Sequence, residues 1–146
     1  MAVLSWGKPK IEFAPITNDI IGTYVISDTP KQDSSQLTTE EGNKTEAQEE
    51  GGGVVDSRRD KNKYSFVFEL FAKKGTTQPI PDTDGVVAGN YAIRLTPEDP
   101  TIPGWQMEKC AVSMVKTWNS SDGELWRYTF EGLVPATGNI LKPYTV

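Results

Sequence analysis

The residues of this chain that could do chemistry are mostly carboxylates, and they are concentrated in one polar segment. Glu40, Glu41, Glu49 and Glu50 all lie within residues 36–63. Two carboxylates that flank a bond can hydrolyse a glycoside if burial raises the pKa of one of them enough for it to donate a proton. This segment contains almost nothing apolar that could bury an acid. We therefore interpret the four glutamates as solvated charges.

The composition removes most other catalytic mechanisms. The chain has no histidine, the commonest general base and metal ligand. Its one cysteine, Cys110, cannot form an internal disulfide or a thiolate zinc site, and its place in an apolar strand pattern predicts a buried, inert thiol. Residues 82–85, Asp-Thr-Asp-Gly, offer oxygen ligands for calcium but lack the rest of an EF-hand loop, so we expect a turn. We expect no catalytic residue, no metal and no cofactor.

Length and charge narrow the class of protein further. The chain has 146 residues, which fits one domain, and a net charge of -5, which disfavours a nucleic-acid-binding surface. Residues 1–11 lack the continuous apolar run of a signal peptide, so we expect none. No apolar run approaches the roughly 20 residues that cross a bilayer, so we expect no membrane partner.

The apolar residues alternate with a period of two, and this pattern predicts an all-β fold. The clearest predicted strands are Tyr64–Phe71, Tyr91–Thr96, Met107–Trp118 and Leu125–Glu131, and residues 119–123 are predicted to form the turn of a C-terminal hairpin. The connections are rich in proline and glycine and leave no room for a crossover helix. The pattern therefore predicts an antiparallel β-sandwich or barrel. The predicted core consists of Phe66, Phe68, Ile93, Val112, Tyr128 and Phe130.

Residues 36–63 form a polar arm within this single domain. Residues 36–41 and 44–50 flank Gly42-Asn43, which predicts a hairpin turn, and a further strand is predicted at residues 54–59 after three glycines. Neither face of these strands is apolar, so the segment cannot be stabilised by a core of its own. It is either a disordered loop or an arm that becomes ordered only against another chain.

The order of these features is similar to that of a known family. Residues 1–9 form a short arm before a strand, a Thr-Thr-Glu-Glu-Gly-Asn hairpin with acidic arms follows, and the segment Glu-Gly-Gly-Gly-Val-Val-Asp-Ser-Arg-Arg precedes the aromatic strand. The C-terminal hairpin ends in Tyr-Thr-Phe-Glu-Gly-Leu-Val-Pro. This layout, which covers most of the chain, resembles phage tail tube proteins and the tube subunits of contractile injection systems.

The resemblance implies a function as well as a fold. It implies a β-sandwich or barrel, with a short helix packed on it, that forms hexameric rings stacked into a hollow tail tube in the virion. The protein would be made in the cytoplasm of a bacterial host, and its partners would be its own copies and other tail proteins. DNA would pass without specific binding, because an acidic lumen removes the counterion release that drives binding. Candidate contacts between subunits are Glu40, Glu41, Glu49, Glu50, Arg58 and Arg59.

A function of a different class is also consistent with the sequence. Trp105 follows a Pro-Gly pair, and Trp118 lies near the end of a strand beside a polar turn. Such tryptophans suit sugar stacking or a protein interface. The alternative is therefore a soluble β-sandwich binding module, for carbohydrate or protein, that acts as a monomer with a disordered acidic loop.

Overall fold

The computed structural model describes residues 4–145, and this part of the chain is all-β. It has eleven strands and contains no helix, so the short helix that the family resemblance implied is absent from the described residues. The strands are β1 (Lys10–Thr17), β2 (Ile20–Ile21), β3 (Val25–Ile26), β4 (Gln36–Glu40), β5 (Lys44–Gln48), β6 (Val54–Arg59), β7 (Lys63–Phe71), β8 (Val86–Thr96), β9 (Gly104–Asn119), β10 (Gly123–Gly132) and β11 (Lys142–Tyr144).

Nine of these strands form one antiparallel sheet, in the order β2-β1-β8-β9-β10-β7-β4, with β3 paired to β1 and β11 paired to β9. The other two strands, β5 and β6, form a separate two-stranded sheet. The nine-stranded sheet ends at β4 on one side and at the short strands β2 and β3 on the other. Both ends therefore present strand edges that no other strand within residues 4–145 covers.

The long strand β9 holds the sheet together. One side of β9 pairs with β8, from Trp105 opposite Leu95 to Ser113 opposite Val86. Its other side pairs first with β11 and then, from Cys110 to the end of the strand, with β10. The β8–β9 register shifts twice, and such bulges bend a strand.

Aromatic contacts show that the sheet folds back on itself as a sandwich. Phe13 on β1 lies 6.5 Å from Phe130 on β10, measured between ring centroids, although two strands separate β1 from β10 in the sheet order. Phe66 on β7 packs edge-on against Trp105 at the start of β9, with centroids 4.8 Å apart. One continuous core results. All six predicted core residues are buried within it: Phe66, Phe68, Ile93, Val112, Tyr128 and Phe130.

The four clearest predicted strands are confirmed, and each is longer than predicted. The strand predicted to follow residues 1–9 is present as β1, which continues through Pro15 to Thr17 and turns back into β2. Asn18 and Asp19 both have positive φ angles, of 52° and 61°, as a type I′ hairpin turn requires. The sequence analysis missed this hairpin because a proline normally marks the end of a strand or an edge strand.

One ion pair secures the edge strands to the middle of the sheet. Arg94 on β8 donates a hydrogen bond of 3.0 Å to the buried carboxylate of Glu12 on β1, and this bond raises the pKa of Arg94. The guanidinium also lies 3.8 Å from the ring centroid of Tyr24 and 4.9 Å from that of Tyr144. Arg94 thus connects β1 to the segment before β3 and to β11, through contacts that strengthen when they are partly desolvated.

Two titratable groups lie inside the core. Cys110 is fully buried, and its burial raises the pKa of the thiol to about 12. The phenol of Tyr128 donates a 2.8 Å hydrogen bond to the carbonyl of Ile80, and burial raises its pKa to about 12. Cys110 is therefore protonated at neutral pH, as the sequence analysis expected of an inert thiol.

Replacing Phe68 with alanine is predicted to lower the free energy of unfolding by about 3–5 kcal/mol, because Phe68 is fully buried and packs on both Tyr128 and Phe130. Val115→Ala is the matched control, since Val115 is 53% exposed and should change stability by less than about 0.5 kcal/mol. Urea denaturation of both variants measures the difference. A Phe68→Ala cost near that of the control would show that β7 does not face the core as described.

Candidate assembly surface

The polar arm, residues 36–63, is one long hairpin. Its base is β4 paired with β7, from Gln36 opposite Val67 to Glu40 opposite Lys63. Its outer part is β5 paired with β6, and a hydrogen bond from the Asp60 amide to the Asn43 carbonyl connects the two parts. From the Glu40–Lys63 pair to the tip, the arm extends roughly 35 Å at 3.3 Å per residue.

The chain reverses at residues 49–53, and the predicted turn at Gly42-Asn43 is wrong. Gly51 and Gly52 have φ angles of 94° and 93°, which favour glycine, and the Glu49 amide donates to the Gly53 carbonyl at 2.8 Å. Gly42 instead lies along one side of the hairpin, where any Cβ atom would collide with the carbonyl of Asp60. The glycine is therefore required by close approach between strands, a role that resembles a turn signal in the sequence.

The outer arm is exposed to solvent on both faces. Every residue of β5 and β6 is exposed. In the sheet order β5 and β6 pair only with each other, so the outer edge of each strand carries backbone groups without a strand partner. An isolated two-stranded hairpin is marginally stable in water. The arm is therefore a surface that a second chain could stabilise by covering a face or pairing with an edge.

The six predicted contact residues are all exposed on this arm, and the structure brings only two of them together. Arg59 forms an ion pair with Glu41 of the same chain. Glu40 lies opposite Lys63 at the base, Arg58 lies opposite Thr45 on β5, and Glu49 and Glu50 lie at the tip. The acidic residues thus occur at two places: a base where basic residues accompany them, and a tip where they stand alone.

The sequence analysis missed two features of the arm. Val54 and Val55, next to the tip, are 55% and 62% exposed, although valine is normally buried. Residues 49–56 therefore combine two exposed valines with three carboxylates, from Glu49, Glu50 and Asp56, and no basic residue. The pair Val-Val directly after three glycines was the available signal. The second feature is an ion pair of 2.8 Å between Lys44 and Glu46 on β5.

The two tryptophans of the alternative function do not share a surface. Trp105 is partly buried against Phe66 at the start of β9, whereas Trp118 is 72% exposed near the other end of that strand. At 3.3 Å per residue they lie roughly 43 Å apart along the strand. Of these two tryptophans, only Trp118 is available as an open stacking platform.

Residues 82–85, for which the sequence predicted a turn and not a calcium site, do form a turn. The amide of Gly85 donates to a carboxylate oxygen of Asp82 at 2.7 Å, and Asp84 and Gly85 both have positive φ angles. Within residues 4–145, no group of three or more acidic or cysteine side chains is placed to hold a metal ion. The same part of the chain contains no helix that is long and apolar enough to cross a membrane.

No protein family model matches the chain, and no curated protein sequence matches it significantly. The geometry of the arm and the layout of the chain are therefore the observations that bear on function.

Two arginines of this fold are predicted to differ in their effect on the stability of the single subunit. Arg59→Gln removes an exposed ion pair with Glu41 and should cost less than about 0.5 kcal/mol. Arg94→Gln leaves the Glu12 carboxylate, whose side chain is only 9% exposed, with Lys10 at 3.8 Å as its remaining cation, and should cost about 2 kcal/mol. Denaturation at low protein concentration compares the two. An equal cost for both variants would contradict the description of the arm as peripheral to the fold.

Proposed function

We propose that this protein is a structural subunit that assembles with copies of itself into rings, stacked as the hollow tail tube of a phage or a related injection system. The observation that carries the proposal is the arm, which extends about 35 Å from the domain at 3.3 Å per residue. Both of its faces are exposed, and its outer edges have no strand partner in the sheet order. Such a segment gains stability by contact with another chain.

The sandwich supplies further surfaces for assembly. The nine-stranded sheet ends in β4 at one side and in β2 and β3 at the other, and Ile20, Val25 and Ile26 on these short strands are more than half exposed. Two different open edges on one subunit permit head-to-tail contacts, and these close into a ring when the rotation between subunits is suitable. The family resemblance implies six subunits in each ring, together with contacts to other tail proteins.

The charge of the protein suits a channel for DNA. The net charge is -5, and no basic residue lies at the tip of the arm, residues 49–56. A tube of such subunits would repel the phosphate backbone and let DNA pass without specific binding, because no counterions would be released by contact.

The alternative, a monomeric binding module, has one observation in its favour. Trp118 is 72% exposed at the tip of the β9–β10 hairpin, where it could stack on a sugar ring. This function would assign no role to the arm. It also predicts that Trp118→Ala abolishes ligand binding, whereas the tube function predicts that shortening the arm abolishes assembly.

The test shortens the arm without opening the sandwich. Because Glu40 lies opposite Lys63, residues 41–62 can be replaced by Asn-Gly, a two-residue turn that joins antiparallel strands. Both sides of the hairpin must be removed, since removing β5 alone would leave β6 unpaired. We expect the shortened protein to keep its β-sheet circular dichroism and to remain monomeric at concentrations where the full chain forms rings in electron micrographs.

Trp118→Ala is the matched control, because it removes a large exposed side chain outside the arm and should leave ring formation unchanged. Rings formed equally well by the shortened protein would contradict the proposed role of the arm. A full-length chain that remains monomeric at high concentration would contradict the proposed function itself.

A further inference from the structure

A groove next to the base of the arm is lined by apolar side chains that the fold leaves partly uncovered. Its walls include Trp6, Leu37, Phe66 and Trp105, and its volume is about 770 Å³. Trp6 is 74% exposed although it is one of the largest apolar side chains in the chain. A groove of this size and chemistry can take a few apolar side chains from a partner.

One cation at the groove is available to a carboxylate of a partner. Lys8 and Lys31 line the groove together with one acid, Asp33. Lys31 already forms an ion pair of 3.3 Å with Asp122, whereas Lys8 is exposed and is not among the ion pairs of the described residues. A partner that suits the groove is therefore a short segment with exposed apolar side chains and a carboxylate that can meet Lys8.

The tip of the arm, residues 49–56, has this composition. It carries the exposed valines Val54 and Val55 between carboxylates and has no basic residue. Adjacent residues of a strand point to opposite faces, so Val54 and Val55 cannot both be covered by one flat surface. A groove with two walls can cover both valines at once, and Lys8 beside it can meet one of the acids.

We infer that the tip of one subunit's arm, residues 49–56, docks in the groove beside Trp6 and Trp105 of a second copy of this chain. The inference rests on the proposed function, and it names the surface that receives the arm. The subunit's own tip does not fill its groove, because every residue of β5 and β6 is exposed. Leu37, a wall of the groove, also lies on β4 at the base of the same hairpin, roughly 45 Å from the tip at 3.3 Å per residue.

The geometry has a consequence for symmetry. The tip and the groove are different surfaces of one subunit, so a tip-in-groove contact is heterologous and each subunit donates one tip and receives another. Heterologous contacts generate closed rings or open filaments and do not stop at a two-fold dimer. This contact would therefore select the kind of assembly that a tube requires.

The test uses two single-cysteine variants that can crosslink only through the proposed contact. Val55→Cys places a thiol at the tip, and Ser5→Cys places one beside the groove, while the native Cys110 is fully buried. The variants carry different affinity tags and are mixed under mild oxidation at assembly concentration. We expect a mixed Val55→Cys/Ser5→Cys disulfide dimer and little of either homodimer. Val86→Cys replaces Val55→Cys as the control, since Val86 is 70% exposed outside the arm and should give no mixed product with Ser5→Cys.

The outcomes separate this inference from the proposed function. Rings that form without a mixed disulfide would overturn the tip-in-groove contact and leave the proposed function standing. A tip-to-tip homodimer of Val55→Cys would also overturn it, in favour of a two-fold contact. The absence of any self-association would overturn both.

A second variant tests the apolar part of the contact without introducing a thiol. Replacing both Val54 and Val55 with serine is expected to raise the concentration for half-maximal assembly at least about tenfold. The reason is that the variant has no valine side chains to bury in the groove, so assembly loses the free energy of burying them. Val86→Ser makes the same chemical change outside the arm and should leave that concentration unchanged. Equal behaviour of the two variants would show that the valines do not enter the groove.

Discussion

The rest of this structure depends on the double pairing of β9. This strand is bonded to β8 on one side and to β10 and β11 on the other, so it belongs to both halves of the folded sheet. Its buried side chains, Met107, Cys110, Val112 and Met114, lie in the middle of the core. A bent central strand lets a single sheet close over its own apolar face. The arm then extends directly from the β4–β7 pair of this domain.

The outer arm, unlike the domain, has almost no buried surface to stabilise it. The domain buries aromatic side chains from five strands in one core, whereas β5 and β6 bury nothing and rest on each other alone. A chain that keeps such a hairpin either tolerates a marginal segment or uses it as a contact surface. The two exposed valines next to an acidic turn favour the second interpretation, because an arm selected only for solubility would have no use for them.

The core and the main strands could be predicted from the sequence because apolar and polar residues alternate along a strand that buries one face. Phe66, Phe68, Tyr128 and Phe130 could be placed inward from their spacing alone. The arm was harder, because a strand that is polar on both faces has no alternation to show its register. Gly42-Asn43 therefore looked like the turn, although Gly42 serves close approach to Asp60 and the chain reverses at the three glycines.

Features that depend on tertiary contacts could not be predicted in this way. The cluster of Arg94 with Glu12, Tyr24 and Tyr144 joins residues far apart in the chain, and nothing in local spacing indicates it. The groove has the same character, since its walls come from the N-terminal segment, β4, β7 and β9. The division of the arm into a base of mixed charge and an acidic tip likewise became visible only with the register of the hairpin.

The central claim is that the arm is open in the single subunit and covered in the assembly. Amide hydrogen exchange, measured on dilute monomer and on the assembled form, tests it most directly. Amides without a partner, and amides paired only within a marginally stable two-stranded hairpin, exchange quickly in the monomer, and covering or pairing the hairpin with a neighbour slows exchange. The account predicts fast exchange across residues 44–59 in the monomer and strong protection of the same residues after assembly, while the core of β9 is protected in both. Fast exchange of the arm in both states would contradict the account.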